Sequence, residues 1–236
     1  MTPDKDLKAE AEVVLIERRL TTPRAAAAAG ILFALLYAGA LILLHSNVPA
    51  NVAAGDAWVE TSATSVSFAL TLVPFAGIAF LWFMAVVRDR LGRHEDQFFA
   101  MVFMGSGLLY LAMMFAAAAV IGGLLASYQL QRGVMDLDVY NFSRTVTYQL
   151  TNIYSIRMAG VFMISSATMW VRTGVMPRPL ALATYILALI LLITINLTVW
   201  ITLLFPAWVF VVSLLVLVAN YRRRSRSEVT SPETVP

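Results

Sequence analysis

The stretch "TNIYSIRMAGVFMISSATMWVRTG" occupies positions 151–174. Most of it is apolar enough for a helix in lipid, yet it carries Arg157, with Asn152 and Tyr154 just upstream. Its reading decides the fold. If it crosses a membrane, the chain has an even number of crossings and a consistent loop-charge pattern; if it does not, both fail.

The composition makes lipid the solvent. Hydrophobic residues make up 60% of the 236 positions and charged residues 13%, against about 25% charged in soluble domains. A water-soluble chain of this length has too little interior to hide that much apolar surface. A spanning helix needs about 20 mostly apolar residues. Six stretches qualify: 25–44, 66–87, 98–126, 149–171, 180–201 and 203–220. Thr22 followed by Pro23 reads as the cap and first residue of the first helix. Pro74 sits in the outer half of the second. Pro206 marks the turn between the last two, or the first turn of the sixth. The fold class expected is therefore all-α, a polytopic bundle of six transmembrane helices.

Loop charges orient this bundle. Lys5, Lys8, Arg18, Arg19 and Arg24 precede the first helix. Arg88, Arg90 and Arg93 follow the second, Arg172 and Arg178 follow the fourth, and Arg222, Arg223, Arg224 and Arg226 follow the sixth. The opposite loops hold only Arg132 and Arg144. Basic loops stay on the cytoplasmic side, so both termini are expected in the cytoplasm. The Arg-rich, Ala-rich composition matches a high-GC bacterium, which puts the chain in the bacterial inner membrane. The first apolar run is too long for the core of a cleaved signal peptide, and a stretch with several acids precedes it.

Three regions follow. Residues 1–23, "TPDKDLKAEAEVVLIERRL" from Thr2 to Leu20, read as a cytoplasmic segment, either an amphipathic helix on the membrane surface or a frayed polar tail. Residues 24–221 form the six-helix domain. Residues 222–236, ending "RSRSEVTSPETVP", have the polar, Pro-containing composition of a disordered tail. Within the domain, small residues mark close helix contacts: Gly30, Ala34 and Ala38 in the first helix, and Ala112 with Ala116 and Ala119 with Gly123 in the third. These read as bundle packing, with a homodimer face as the alternative. The third helix is overlong, about 43 Å at 1.5 Å per residue against a core near 30 Å. It must tilt or project, with Gly122–Gly123 a place to bend. The loop after it, 127–150, carries Asp136, Asp138 and several aromatics, and has the pattern of a short amphipathic helix over the outer mouth.

Arg157 is the one charge within a span. Counting outward from Arg172, it lies about 7 Å below the outer boundary. No span contains Asp or Glu, so no partner acid shares its depth. Three accounts stay open. It snorkels to the surface. It anchors an outer-leaflet polar pocket with Gln149, Asn152, Tyr154 and Asn196, aided by a carbonyl freed at Pro74, that takes a small anion or lipid phosphate. Or Asp136 or Asp138 folds inward to pair with it.

No catalytic constellation is legible: no HExxH, no metal-spaced His and Asp cluster, no Ser-His-Asp set at one depth. With no cysteine there are no disulfides or thiolate metal sites, and the methionines of the third and fourth helices read as packing. No cofactor is called for. The functions that remain are a binding or accessory membrane protein, a small carrier for an anionic or amphiphilic ligand using Arg157, and, behind both, a lipid-modifying enzyme. The partners expected are the bilayer, an anionic lipid or small anion, and a membrane-protein partner; nothing points to nucleic acid.

Two joins, "FLWFMAVVRDRLG" (80–92) and "WVRTGVMPRPLALATYILALILL" (170–192), resemble those of a family of bacterial multi-helix membrane proteins of unknown function. There a helix ends on Arg, a Gly turn follows, and Pro-x-x-Leu-Ala opens the next helix. The resemblance implies six helices and no known activity, and it brings no site residues.

Overall fold

A computed structural model of the chain describes residues 3–48, 57–91, 97–131, 136–172, 178–193 and 199–229, with side chains over 25–48, 61–88, 98–131, 136–172, 178–193 and 200–218. The described residues contain helices and no strand. The α-helices are α1 (Pro3–Asn47), α2 (Ala57–Leu91), α3 (Gln97–Leu130), α4 (Leu137–Tyr148), α5 (Ile156–Arg172), α6 (Arg178–Ile193) and α7 (Leu204–Val229). A π-helical stretch, Gln149–Ser155, joins α4 to α5 without a break, and a 3₁₀ turn, Val199–Leu203, leads into α7.

Four segments are long and apolar enough to cross a membrane by length and composition: Ala25–Asn47, Thr61–Arg88, Phe98–Leu130 and Trp200–Val218. The fourth expected crossing is helical throughout but is divided between the π-helical stretch and α5. The fifth is described as helix over Arg178–Ile193, 16 residues that rise about 24 Å; the rest of the expected span, up to the 3₁₀ turn, lies outside the described residues.

Other boundaries also differ from expectation. Thr22–Pro23 does not open a helix, because α1 is already running from Pro3. A proline costs one backbone donor, and a long helix carries it when its other turns are intact. Pro74 likewise lies inside α2, on an exposed face. Pro206 falls in the first turn of α7, and α7 continues through the arginines at 222–224 to Val229. α3 runs past residue 126 to Leu130, with Gly122–Gly123 inside it, and Leu137–Tyr148 is helical as well.

The helices pack in a ring. α1 lies between α2 and α7, α3 joins α2 to α5, and α5 pairs with α6. The Trp208 indole N–H donates to Thr184 Oγ1 at 3.1 Å and closes the ring between α7 and α6. Arg172 lies over the Phe99 ring at 4.6 Å, tying the end of α5 to the start of α3. The centre is aromatic. Phe80 is fully buried and meets Phe33 at 4.7 Å, Phe162 at 5.4 Å and Tyr110 at 5.7 Å between centroids. Phe205 packs on Tyr110 at 4.5 Å. Offset and edge contacts of this kind add about 0.5–1.5 kcal/mol per pair beyond burial.

The two small-residue stripes part company. Gly30 and Ala34 are buried, and Gly30 sits against Ser213 of α7 and Phe83 of α2. Ala112, Ala116, Ala119 and Gly123 are all exposed, so the α3 stripe lies outside the bundle and does not pack within it. Four-residue spacing marks a helix face without saying which way that face turns.

Candidate functional site

The helix that carries Arg157 is unusual from its start. Asp136 caps α4, accepting from the Asp138 backbone N–H at 2.8 Å. α4 then packs along the end of α3. Its Tyr140 is buried among Val66, Leu124 and Leu125, which makes α4 a cover over the N-terminal part of α2 and the C-terminal end of α3. Asp136 and Asp138 are exposed, and neither folds inward to meet Arg157.

Beyond Tyr148 the winding loosens to π-helical for seven residues. Wider turns of this kind are rare and occur often at functional sites. Polar side chains here serve the backbone. Thr151 Oγ1 donates to the Thr147 carbonyl at 2.8 Å, and Asn152 Nδ2 donates to Thr151 Oγ1 at 2.9 Å. Arg157 Nη1 donates to the Ile153 carbonyl at 2.9 Å. This is its one hydrogen bond among the described residues. The guanidinium thus reaches back one turn toward the N-terminal end of its helix, half-buried, with further N–H donors to spare. The carbonyl it uses belongs to its own helix and not to the turn at Pro74.

The other residues singled out from sequence do not gather around it. Gln149 and Tyr154 are exposed, and Asn152 is half-buried. Asn196 lies outside the described residues.

A different set of polar groups does converge. A small cavity is walled by the hydroxyl side chains of Tyr37, Tyr110, Thr151, Ser155 and Thr202. Its apolar wall is Ile156, Ala159, Leu191, Ile201 and Phe205. Tyr110 hydrogen-bonds both Tyr37 and Ser155. The Tyr37 and Tyr110 rings meet edge to face at 6.2 Å. None of Gln149, Asn152, Tyr154 or Arg157 lines this space. A sequence signal for it exists: Tyr37 and Tyr110 each lie about twelve residues into their apolar runs. Two tyrosines at one depth in neighbouring helices are candidates to bond each other. The contribution of Thr151 and Ser155 depends on the π-helical winding, which leaves no mark in composition.

α5 is the most enclosed helix of the bundle. Its hydroxyls are satisfied locally: Ser165, Ser166 and Thr168 donate to the carbonyls four residues back, at 2.7–2.9 Å. Thr168 also bonds the Tyr185 hydroxyl of α6 at 2.8 Å. Among the described residues no group of three His, Asp or Glu side chains is assembled.

No family model matches the chain, and neither a curated protein nor a solved structure matches it. The likeness of its two helix joins to a membrane-protein family therefore assigns it to none.

Proposed function

We propose that the chain is a multi-pass protein of a bacterial inner membrane, with six crossings and both termini in the cytoplasm, and that it acts by binding a partner or ligand. The observation that carries the membrane part is the outer surface of the bundle. Large apolar side chains stand exposed along it, among them Leu35, Phe68, Phe75, Trp82, Met101 and Ile186, on faces that water would penalise at roughly 25 cal/mol per Å². Pairing supports six crossings over four. α3 packs in turn against α5, the π-helical stretch and α4. If α3 crosses, that partner crosses beside it, and α6 brings the chain back to meet α7.

The binding part rests on α4. Measured from Arg172, twenty helical residues reach about Asn152, so α4 stands beyond the hydrocarbon core. There it exposes Leu137, Val139 and Phe142, apolar groups suited to a neighbouring membrane protein. A periplasm-dependent enzyme fused to the C-terminus should stay inactive, while a fluorescent protein at the same place should light up. The reverse pair of results would invert the topology.

Arg157 supports a second reading, a contact for a lipid phosphate or small anion. One bond to Ile153 leaves most of the guanidinium fork for a ligand, and that fork binds such anions bidentately. The test is native mass spectrometry in mild detergent of the wild type, Arg157→Lys and Arg157→Leu. A phosphate grip loses its adducts in both variants, because lysine cannot reproduce the fork. Equal adducts in all three proteins would leave Arg157 as a snorkelling side chain only.

A further inference from the structure

The hydroxyl cavity has more polar wall than the helices need for themselves. Serine and threonine in a spanning helix ordinarily donate to the carbonyl one turn back, as Ser165, Ser166, Thr168 and Thr184 do here. A tyrosine hydroxyl stands too far from its own backbone for that, so each buried one needs a partner elsewhere. Tyr37 and Tyr110 are more than nine-tenths buried, as are Ser155 and Thr202. The trio Tyr37, Tyr110 and Ser155 holds three O–H donors and makes two bonds among its members. One donor is left over, together with several oxygen lone pairs. A hydroxyl proton left without an acceptor in an apolar interior is unfavourable.

The wall also selects what can satisfy it. Among the described residues no charged side chain lines the space. A cation would find no carboxylate there and an anion no guanidinium, so an ion would be buried uncompensated. The room is small: the space open to water centres is about 10 Å³, close to what a single water requires. Such a water needs two to four polar partners, and five hydroxyls from α1, α3, the π-helical stretch and the 3₁₀ turn face it. We infer that this cavity is a binding site for one ordered water, which accepts the O–H left over from the tyrosine–serine trio and donates to hydroxyl oxygens of the wall. The water adds to the direct Tyr37–Tyr110 and Tyr110–Ser155 bonds and extends them to the 3₁₀ turn. It sets a wet point one aromatic layer away from the dry cluster of Phe33, Phe80 and Phe162, all fully buried. The inference is independent of the number of crossings and of any role for Arg157.

X-ray radiolytic footprinting of the full chain in detergent, in water enriched in ¹⁸O, reads this directly, because a bound water oxidises the aromatic ring beside it. Tyr37 and Tyr110 should take up ¹⁸O several-fold faster than Phe33, Phe80 and Phe162, and a radical scavenger in bulk solution should leave that labelling in place. Thr202→Val with Ser155→Ala, which removes two hydroxyls and keeps both tyrosines, should bring Tyr37 and Tyr110 down to the level of the phenylalanines. Labelling of the two tyrosines no faster than that of the phenylalanines in the wild type would show a dry cavity and overturn the inference. Labelling abolished by the scavenger would overturn it equally, since it would come from bulk water reaching the site. Retention of the full signal in the double variant would show that these hydroxyls do not hold the water.

Discussion

At position 30 the bundle has no room for a side chain. A Cβ there would run into Ser213 Oγ and come within 2.8 Å of Phe83. Ser213 is itself buried and has no hydrogen-bond partner among the described residues, so its hydroxyl rests against the glycine backbone. Gly30→Val forces α1 away from α7, and overpacking of this kind costs about 1–3 kcal/mol. Gly39→Ala meets nothing within 4 Å and gains up to about 1 kcal/mol of helix propensity. Thermal unfolding in detergent should therefore fall for the first variant and hold or rise for the second. Equal behaviour would mean that α1 does not face α7 through Gly30. The sequence pointed to Gly30 through its spacing from Ala34. It pointed just as firmly to Ala112 and Ala116, which face outward, because spacing fixes a face and only the partner helix fixes its direction. Arg157 was legible as a lone cation for a different reason: no acid shares its span. That its first partner is its own helix at Ile153 could not be read, since it depends on the winding of the turn before it.

Among the elements, α4 and the π-helical stretch carry what is distinctive. A short amphipathic helix within 127–150 was legible in sequence; that Asp136 caps it was not. What holds α4 in place is Tyr140, buried in a satellite cluster with Val66, Leu124 and Leu125. Truncating a buried aromatic costs roughly 3–5 kcal/mol, more than a peripheral helix has in reserve. In Tyr140→Ala, hydrogen exchange over 137–148 should rise sharply while exchange over α5 stays slow. Uniform loosening of the whole chain would show that α4 is part of the main core and not a cover over it. The start of α7 at Leu204, after a 3₁₀ turn, was the least legible feature. Apolar residues continue from 180 to 218 with few interruptions, and a membrane removes the polar punctuation that marks helix ends in soluble proteins.

For the molecule as a whole, the inside was harder to predict than the outside. α2 and α3 carry apolar residues on nearly all sides, so hydropathy separates helix from loop but not the buried face from the exposed one. The aromatic centre makes that separation. Phe80 and Phe75 lie on one helix, the first fully buried and the second 58% exposed. Phe80→Ala should lower stability by about 3–5 kcal/mol, read as loss of folded protein on heating in detergent, and Phe75→Ala should change it little. A larger effect at Phe75 would turn α2 around. The crossing number is the central claim, and the chain's lack of cysteine gives a clean way to test it. Thr173 lies in the segment between α5 and α6, which six crossings put in the cytoplasm and four put outside. In intact cells, Thr173→Cys should resist a membrane-impermeant maleimide and react once the membrane is permeabilised, with Asp138→Cys reacting from outside in both cases. Labelling of Thr173→Cys in intact cells would place α5 and α6 outside the bilayer and contradict the six-crossing bundle.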